Sequence, residues 1–246
     1  MYLALLFPSA MALYAIGTKK LTFPGTLLAW LVGFIIIHYG GNVAFGAAVI
    51  TIGLIIVSDK IKRTDKDGTR SIFSIISKLL PSAICIVLYA ITKTNCFYIM
   101  YYAVIASSLS DTLSSGIGNL SKKPPINIFN FKKLEVGESG GVSLLGLVAA
   151  LAGGMIIATV YLLKNVNLLH FLLISLLGFM GSLIDTVLGM LFQGRYECSL
   201  CKKKVETKTH CQKHTKLVKG YALVDNNVVN LLNGMIILVI SYFLFM

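Results

Sequence analysis

Residues 168–193 read LLHFLLISLLGFMGSLIDTVLGMLFQ. As a helix these 26 residues extend about 39 Å, more than the ~30 Å hydrocarbon core of a bilayer. The stretch has no Lys or Arg and a single acid, Asp185. It reads as a transmembrane helix carrying a carboxylate. A charge at that depth costs at least ~2.5 kcal/mol, so Asp185 should face a polar cavity, a metal or a partner.

Working outward, seven further apolar segments approach span length: about 1–16, 21–39, 43–58, 72–91, 97–115, 140–163 and 226–246. Hydrophobic residues make up 56% of the chain and charged residues 13%, yet the net charge is +12. So few charges could not cover a soluble domain, and so much apolar content excludes disorder. Nineteen of the 22 bases fall in four alternate loops, at 19–20, 60–70, 122–133 and 195–219. The positive-inside rule makes those loops cytoplasmic and both termini external. Lys19 and Lys20 follow the first apolar run, so the N-terminus does not read as a cleaved signal peptide. The expected fold is an all-α, polytopic bundle of about eight spans in the plasma membrane. Its transmembrane part covers 1–193, with cytoplasmic loops 59–71 and 118–139; a metal-binding loop at 194–224 and a final helix at 225–246 complete it.

Eight of the ten acids lie in or beside the cytoplasmic loops; the other two are Asp111 and Asp185. Their contexts match: residues 108–112 read Ser-Leu-Ser-Asp-Thr and residues 182–186 read Ser-Leu-Ile-Asp-Thr. Two spans in one orientation can present both carboxylates to one site. Paired carboxylates with neighbouring hydroxyls (Ser114, Ser115, Ser182) are hard oxygen ligands suited to Mg²⁺ and substrate phosphates. Residues 137–143, Gly-Glu-Ser-Gly-Gly-Val-Ser, open the sixth span. Ser139, Gly140, Gly141 and Ser143 form either a phosphate-binding helix entry or a packing turn. Asn227 and Asn230 share a face at the start of the last span, as ligands or as helix-helix contacts. Arg70, Lys132, Lys133, Arg195 and Lys219 are the candidate phosphate-binding bases.

Between the last two spans, Cys198-x₂-Cys201 is followed after nine residues by Cys211-x₂-His214. This spacing fits a structural zinc knuckle, with His210 as an alternative fourth ligand. A cytoplasmic location disfavours a disulfide. Six Lys surround the cluster, but no aromatic platform accompanies them, so nucleic acid is not the expected partner.

Five stretches occur together in one order: SLSDTLSSGIG (108–118), GGVSLLG (140–146), GSLIDTVLG (181–189), the Cys/His cluster and DNNVVNL (225–231). In these the chain resembles the integral membrane proteins related to transmembrane protein 19 and plant phytyl-phosphate kinase, as a compact member of archaeal or bacterial type. The resemblance implies a kinase that converts an isoprenoid monophosphate, such as geranylgeranyl phosphate, to the diphosphate. The nucleoside triphosphate would be CTP by preference, and Asp111 and Asp185 the active-site acids. Gly116 departs from the family pattern, which has Glu there. Two alternatives stay open: a transporter or flippase of an anionic lipid, and a prenol kinase or lipid cytidylyltransferase.

Overall fold

The computed structural model describes residues 2–18, 21–61, 72–134 and 140–246. Arg70 and Ser139 lie outside the described residues. Among those described, eight α-helices appear: α1 (Tyr2–Gly17), α2 (Phe23–Ile35), α3 (Gly41–Ile61), α4 (Ile72–Thr92), α5 (Asn95–Gly118), α6 (Leu144–Leu162), α7 (Leu168–Phe192) and α8 (Asn226–Phe245). A π-helical turn at Ile36–Gly40 joins α2 to α3. The chain redirects at Gly41, whose φ of +83° suits a residue without a Cβ.

Among the described residues, five helical stretches are long and apolar enough to cross a membrane: Phe23–Ser58, Phe73–Thr92, Leu144–Leu162, Leu168–Phe192 and Asn226–Phe245. The difference from the expected eight has three sources. The apolar run 23–58 counts once although α2 and α3 divide it; α1 is short; and α5 is too polar. The polarity of α5 has a structural reason. This helix packs against α3, α4, α6, α7 and α8, so its neighbours are helices on most sides. Tyr101 and Tyr102 are fully buried in it. The Tyr101 hydroxyl donates to the Ala44 carbonyl at 2.7 Å. Without that bond a buried hydroxyl would cost about 1–3 kcal/mol. A helix shielded in this way tolerates Ser107, Ser108, Ser110, Asp111, Thr112, Ser114 and Ser115 in its last half.

Small residues set how closely α5, α6 and α7 pack. A Cβ on Gly153 of α6 would lie 2.9 Å from the Ser110 Cα of α5. One on Gly178 of α7 would lie 2.8 Å from the Gly154 Cα of α6, and one on Gly181 would strike Ser107. With no strong hydrophobic drive between helices in lipid, such backbone approach is what holds them together.

The chain is not all-α. Strands β1 (Ile126–Asn127) and β2 (Gly141–Val142) pair in the connection between α5 and α6. Gly140, at φ +84°, turns the chain into β2. Residues 194–224 are not an irregular loop either. Strands β3 (Arg195–Cys198), β4 (Lys204–Val205), β5 (Thr209–His210) and β6 (Lys213–Lys219) form an antiparallel sheet in the order β4-β3-β6-β5. The chain must leave α7 and return to α8, and the parallel Gln193–Tyr221 bridge closes the base of that excursion. Antiparallel pairing of the outgoing and returning segments then satisfies their backbone groups.

Candidate functional site: two acids at one end of the bundle

Asp111 stands one turn beyond Ser107 on α5, and Asp185 stands one turn beyond Gly181 on α7. Because Gly181 seats on Ser107, the two acids follow in register on adjacent, parallel helices. Each lies seven residues before the end of its helix, so both are about 10 Å inside that end. The Asp185 carboxyl lies against that of Asp111 and against the Asn233 amide, with Lys78 supplying an opposing charge. One of its oxygens, Oδ1, is buried and has no hydrogen-bond partner among the described residues; the same holds for Asn233 Oδ1.

Lys78 arrives from the first turns of α4. Its Nζ donates to Thr112 Oγ1 at 2.9 Å, and Thr112 Oγ1 donates to the Ser108 carbonyl at 2.9 Å. Asn233 Nδ2 donates to Ser107 Oγ at 3.3 Å. Ser77, Lys78, Ser107, Ser108, Asn230 and Asn233, with Val104 and Gly234, line a small crevice among α4, α5 and α8. The N-terminal turns of α4, α6 and α8 thus meet the C-terminal turns of α3, α5 and α7 at one end of the bundle. The connections that follow α5 and α7, which carry Lys122, Lys123, Lys132, Lys133 and the bases from Arg195 to Lys219, leave from that same end.

The other expected site residues distribute unevenly around this centre. Asn230 is buried in the crevice, and its Nδ2 donates to the Asn226 carbonyl at 2.6 Å. Asn227 instead points to the helix start, where its Nδ2 donates to the N-cap Asp225 at 3.1 Å. Ser143 is the N-cap of α6; its hydroxyl accepts from Gly146 N at 3.1 Å and donates to the Gly118 carbonyl at 3.3 Å. That side chain pins α6 to the end of α5. Gly141 pairs with Asn127 in the β1–β2 ladder. Ser182 is buried, Ser114 contacts Gly146 at the α5–α6 crossing, and Ser115 is exposed. Lys132 and Lys133 are exposed on the β1–β2 connection. Arg195 is buried at the start of β3, opposite the exposed Lys219 on β6. Gly116, where the resemblance leads one to expect Glu, is where Ser58 of α3 closes on α5; the Ser58 hydroxyl donates to the Thr112 carbonyl at 3.1 Å.

Sequence reasoning missed Lys78, Ser107 and Asn233. Signals existed for all three. Lys78 is the only base inside an apolar span. Asn233 continues the three-residue spacing from Asn230, and Ser107 precedes Asp111 by one turn.

In the sheet, Cys198, Cys201, His210 and Cys211 bring their ligand atoms within 4.8 Å of one another. Of the two candidate histidines, the structure gathers His210. His214 lies across the β5–β6 pair, opposite Thr209, and is exposed. A hydrogen bond from the Cys201 backbone, then one from the His210 side chain, pull the Cys198 thiol down to about 6. Burial pushes the Cys211 thiol up.

Residues 6–238 match the family described as integral membrane protein DUF92. The chain belongs to that family. A relative in Arabidopsis thaliana, named Protein PGR, is 27% identical over 263 residues, covering 92% of this chain and 90% of its own. The membrane family suggested by the motifs therefore extends over nearly the whole chain, including the helices before residue 58. No solved structure matches this chain.

Proposed function

We propose that this membrane protein is a prenyl-phosphate kinase. It would transfer the γ-phosphoryl group of a nucleoside triphosphate, CTP by family resemblance, to an isoprenoid monophosphate such as geranylgeranyl phosphate. The observation that carries the reading is the convergence of two matched Ser-Leu-x-Asp-Thr turns with Lys78 and Asn233 at one depth. Half-buried carboxylates beside a cation and amides are costly in a bundle and need a polar ligand to justify them. The reading places this site at the cytoplasmic end of an eight-span bundle in the plasma membrane, as the distribution of bases implies.

The donor set fits Mg²⁺. Asp111 and Asp185 offer hard oxygens, and the buried, unpartnered Asp185 Oδ1 is an acceptor waiting for a cation. When bound, that ion would neutralise triphosphate charge. The protein's own residues do the rest. Asp111 and Asp185 would hold that ion. Lys78, held by Thr112, sets a positive charge beside the acids, where charge builds on the transferring group. The start of α6, held by Ser143 against α5, turns its positive dipole end to the same face. The exposed Lys132, Lys133 and Lys219 would give a basic collar that gathers two anionic substrates. The prenyl tail lies between helices. Phosphoryl transfer asks mainly for positioning and charge stabilisation, and a phosphate acceptor is nucleophilic near pH 7 without a dedicated base.

The test is transfer from γ-labelled CTP in detergent to geranylgeranyl phosphate, with geranylgeraniol as the control acceptor. The reading expects label in the diphosphate and none from the alcohol. Product from the alcohol alone would make it a prenol kinase, and no nucleotide use with any lipid would point to transport.

A further inference from the structure

The Cys/His cluster lies outside the acid site, and the kinase reading makes no use of it. Its ligands come from two turns of the 195–219 sheet. Cys198 ends β3, Cys201 lies in the β3–β4 connection, His210 ends β5, and Cys211 opens the turn into β6. The side-chain spacing can be checked against a tetrahedral ion. With Zn–S near 2.3 Å, the sulfur–sulfur edge is about 3.8 Å, and with Zn–N near 2.05 Å the sulfur–nitrogen edge is about 3.6 Å. The Cys201 and Cys211 sulfurs are 3.9 Å apart. His210 Nδ1 is 3.5 Å from Cys201 Sγ and 3.2 Å from Cys211 Sγ. Cys198 Sγ completes the group within the 4.8 Å limit. The edges match one ion at the centre of the four atoms. A disulfide would need the two sulfurs at about 2.05 Å and would leave Cys198 and His210 aimed at nothing.

The sheet itself gives the ion a purpose. Its strands are two to seven residues long and mostly exposed, and Tyr196 and Cys198 are among the few buried side chains in it. An apolar core this small does not hold a four-stranded sheet without a staple. Lys202, Cys211 and Gln212 sit at φ +58°, +51° and +59°, so the two ligand-bearing turns are folded into conformations that non-glycine residues rarely adopt. Metal–thiolate bonds supply what those turns and strands lack.

We infer that Cys198, Cys201, Cys211 and His210, the last through Nδ1, bind one structural Zn²⁺ ion that holds the 194–224 module folded. Three thiolates and one imidazole in tetrahedral array select zinc over magnesium or calcium. Four protein ligands close the shell, so the site stabilises without catalysing.

The experiment uses the full chain, without a histidine tag, purified in detergent and washed with a weak chelator. Elemental analysis should find about one zinc per chain. Exchange into Co²⁺ should give the visible bands of tetrahedral cobalt with sulfur charge-transfer. Cys201→Ser, Cys211→Ser and His210→Ala should each retain less than about a fifth of the zinc, while His214→Ala should keep it all. Stripping the ion from the wild-type protein should speed tryptic cutting in the lysine-rich 202–216 segment at least about tenfold, because an unbound module opens. Metal-free wild-type protein, zinc retained in the cysteine variants, or zinc lost with His214→Ala and kept with His210→Ala would each overturn the assignment. A mass 2 Da short, from a Cys201–Cys211 disulfide, would overturn it as well. The cobalt and proteolysis measurements need only the wild-type chain, so a variant that fails to fold does not shelter the claim. None of the readouts depends on the kinase activity.

Discussion

Gly181→Ala tests how the bundle sets the distance between the two acids. A Cβ at residue 181 would lie 2.5 Å from Ser107 Cβ and 3.2 Å from Ser107 Cα. Carbon atoms rest at ~3.5–4.0 Å, so α5 and α7 must separate by about 1 Å at this level. Rotating the Ser107 hydroxyl removes only its own clash, because the Cβ and backbone stay in the way. Overpacking of this kind costs about 1–3 kcal/mol. Asp111 and Asp185 lie one turn further along the same two helices, so the displacement reaches them almost undiminished. A misplacement of about 1 Å in a reacting geometry can lower the rate by about a hundredfold. The assay is the steady-state rate of prenyl diphosphate formation in detergent, beside a thermal melt. The expected result is a rate about a hundredfold lower in a protein still folded at the assay temperature. Ser107→Gly, added to Gly181→Ala, moves the small residue to the other helix and should recover much of that loss despite removing the Asn233 bond. A fully active Gly181→Ala, or a double variant no better than the single one, would refute the link between this glycine contact and the acids.

Three further outcomes follow from the same geometry. Asp185→Asn should lower the rate by at least about a thousandfold and leave the melting temperature unchanged or higher, since it relieves the contact of two carboxylates. Lys78→Met should lower transfer about a hundredfold, read as kcat at saturating CTP, because a positioned cation near the transferring group is removed. Gly116→Glu should destabilise the bundle by about 1–3 kcal/mol in a denaturation series, because Ser58 occupies the space; Ser58→Gly should recover part of it.

The acid pair was legible in the sequence because the matched pentapeptides announce themselves and parallel orientation follows from loop charge. The partners of the pair were less legible. Lys78 sits in an apolar run where a lone base reads as an exception, and only its bond to Thr112 across the α4–α5 contact gives it a place. Asn227 and Asn230 share a helical face by spacing, yet Asn227 is captured by the Asp225 cap, and Asn233 lies nearer the acids. Ser143 looked like a phosphate ligand and serves as an N-cap, two uses of the same hydroxyl that spacing cannot separate. The central α5 shows why span counting by hydropathy differs from the bundle seen. Burial among five helices removes the lipid contact that hydropathy assumes. In the Cys/His module the ligand spacing was plain, but the choice of His210 over His214 depends on where β5 ends and β6 begins.

The most direct measurement of the central claim is mass-spectrometric detection of product from CTP, Mg²⁺ and geranylgeranyl phosphate, for the wild-type chain and for the Asp111→Asn, Asp185→Asn pair. The account predicts geranylgeranyl diphosphate from the wild type and none above background from the double variant, with both proteins eluting alike in detergent. Equal product from the two, or CDP released with no phosphorylated lipid from either, would contradict it.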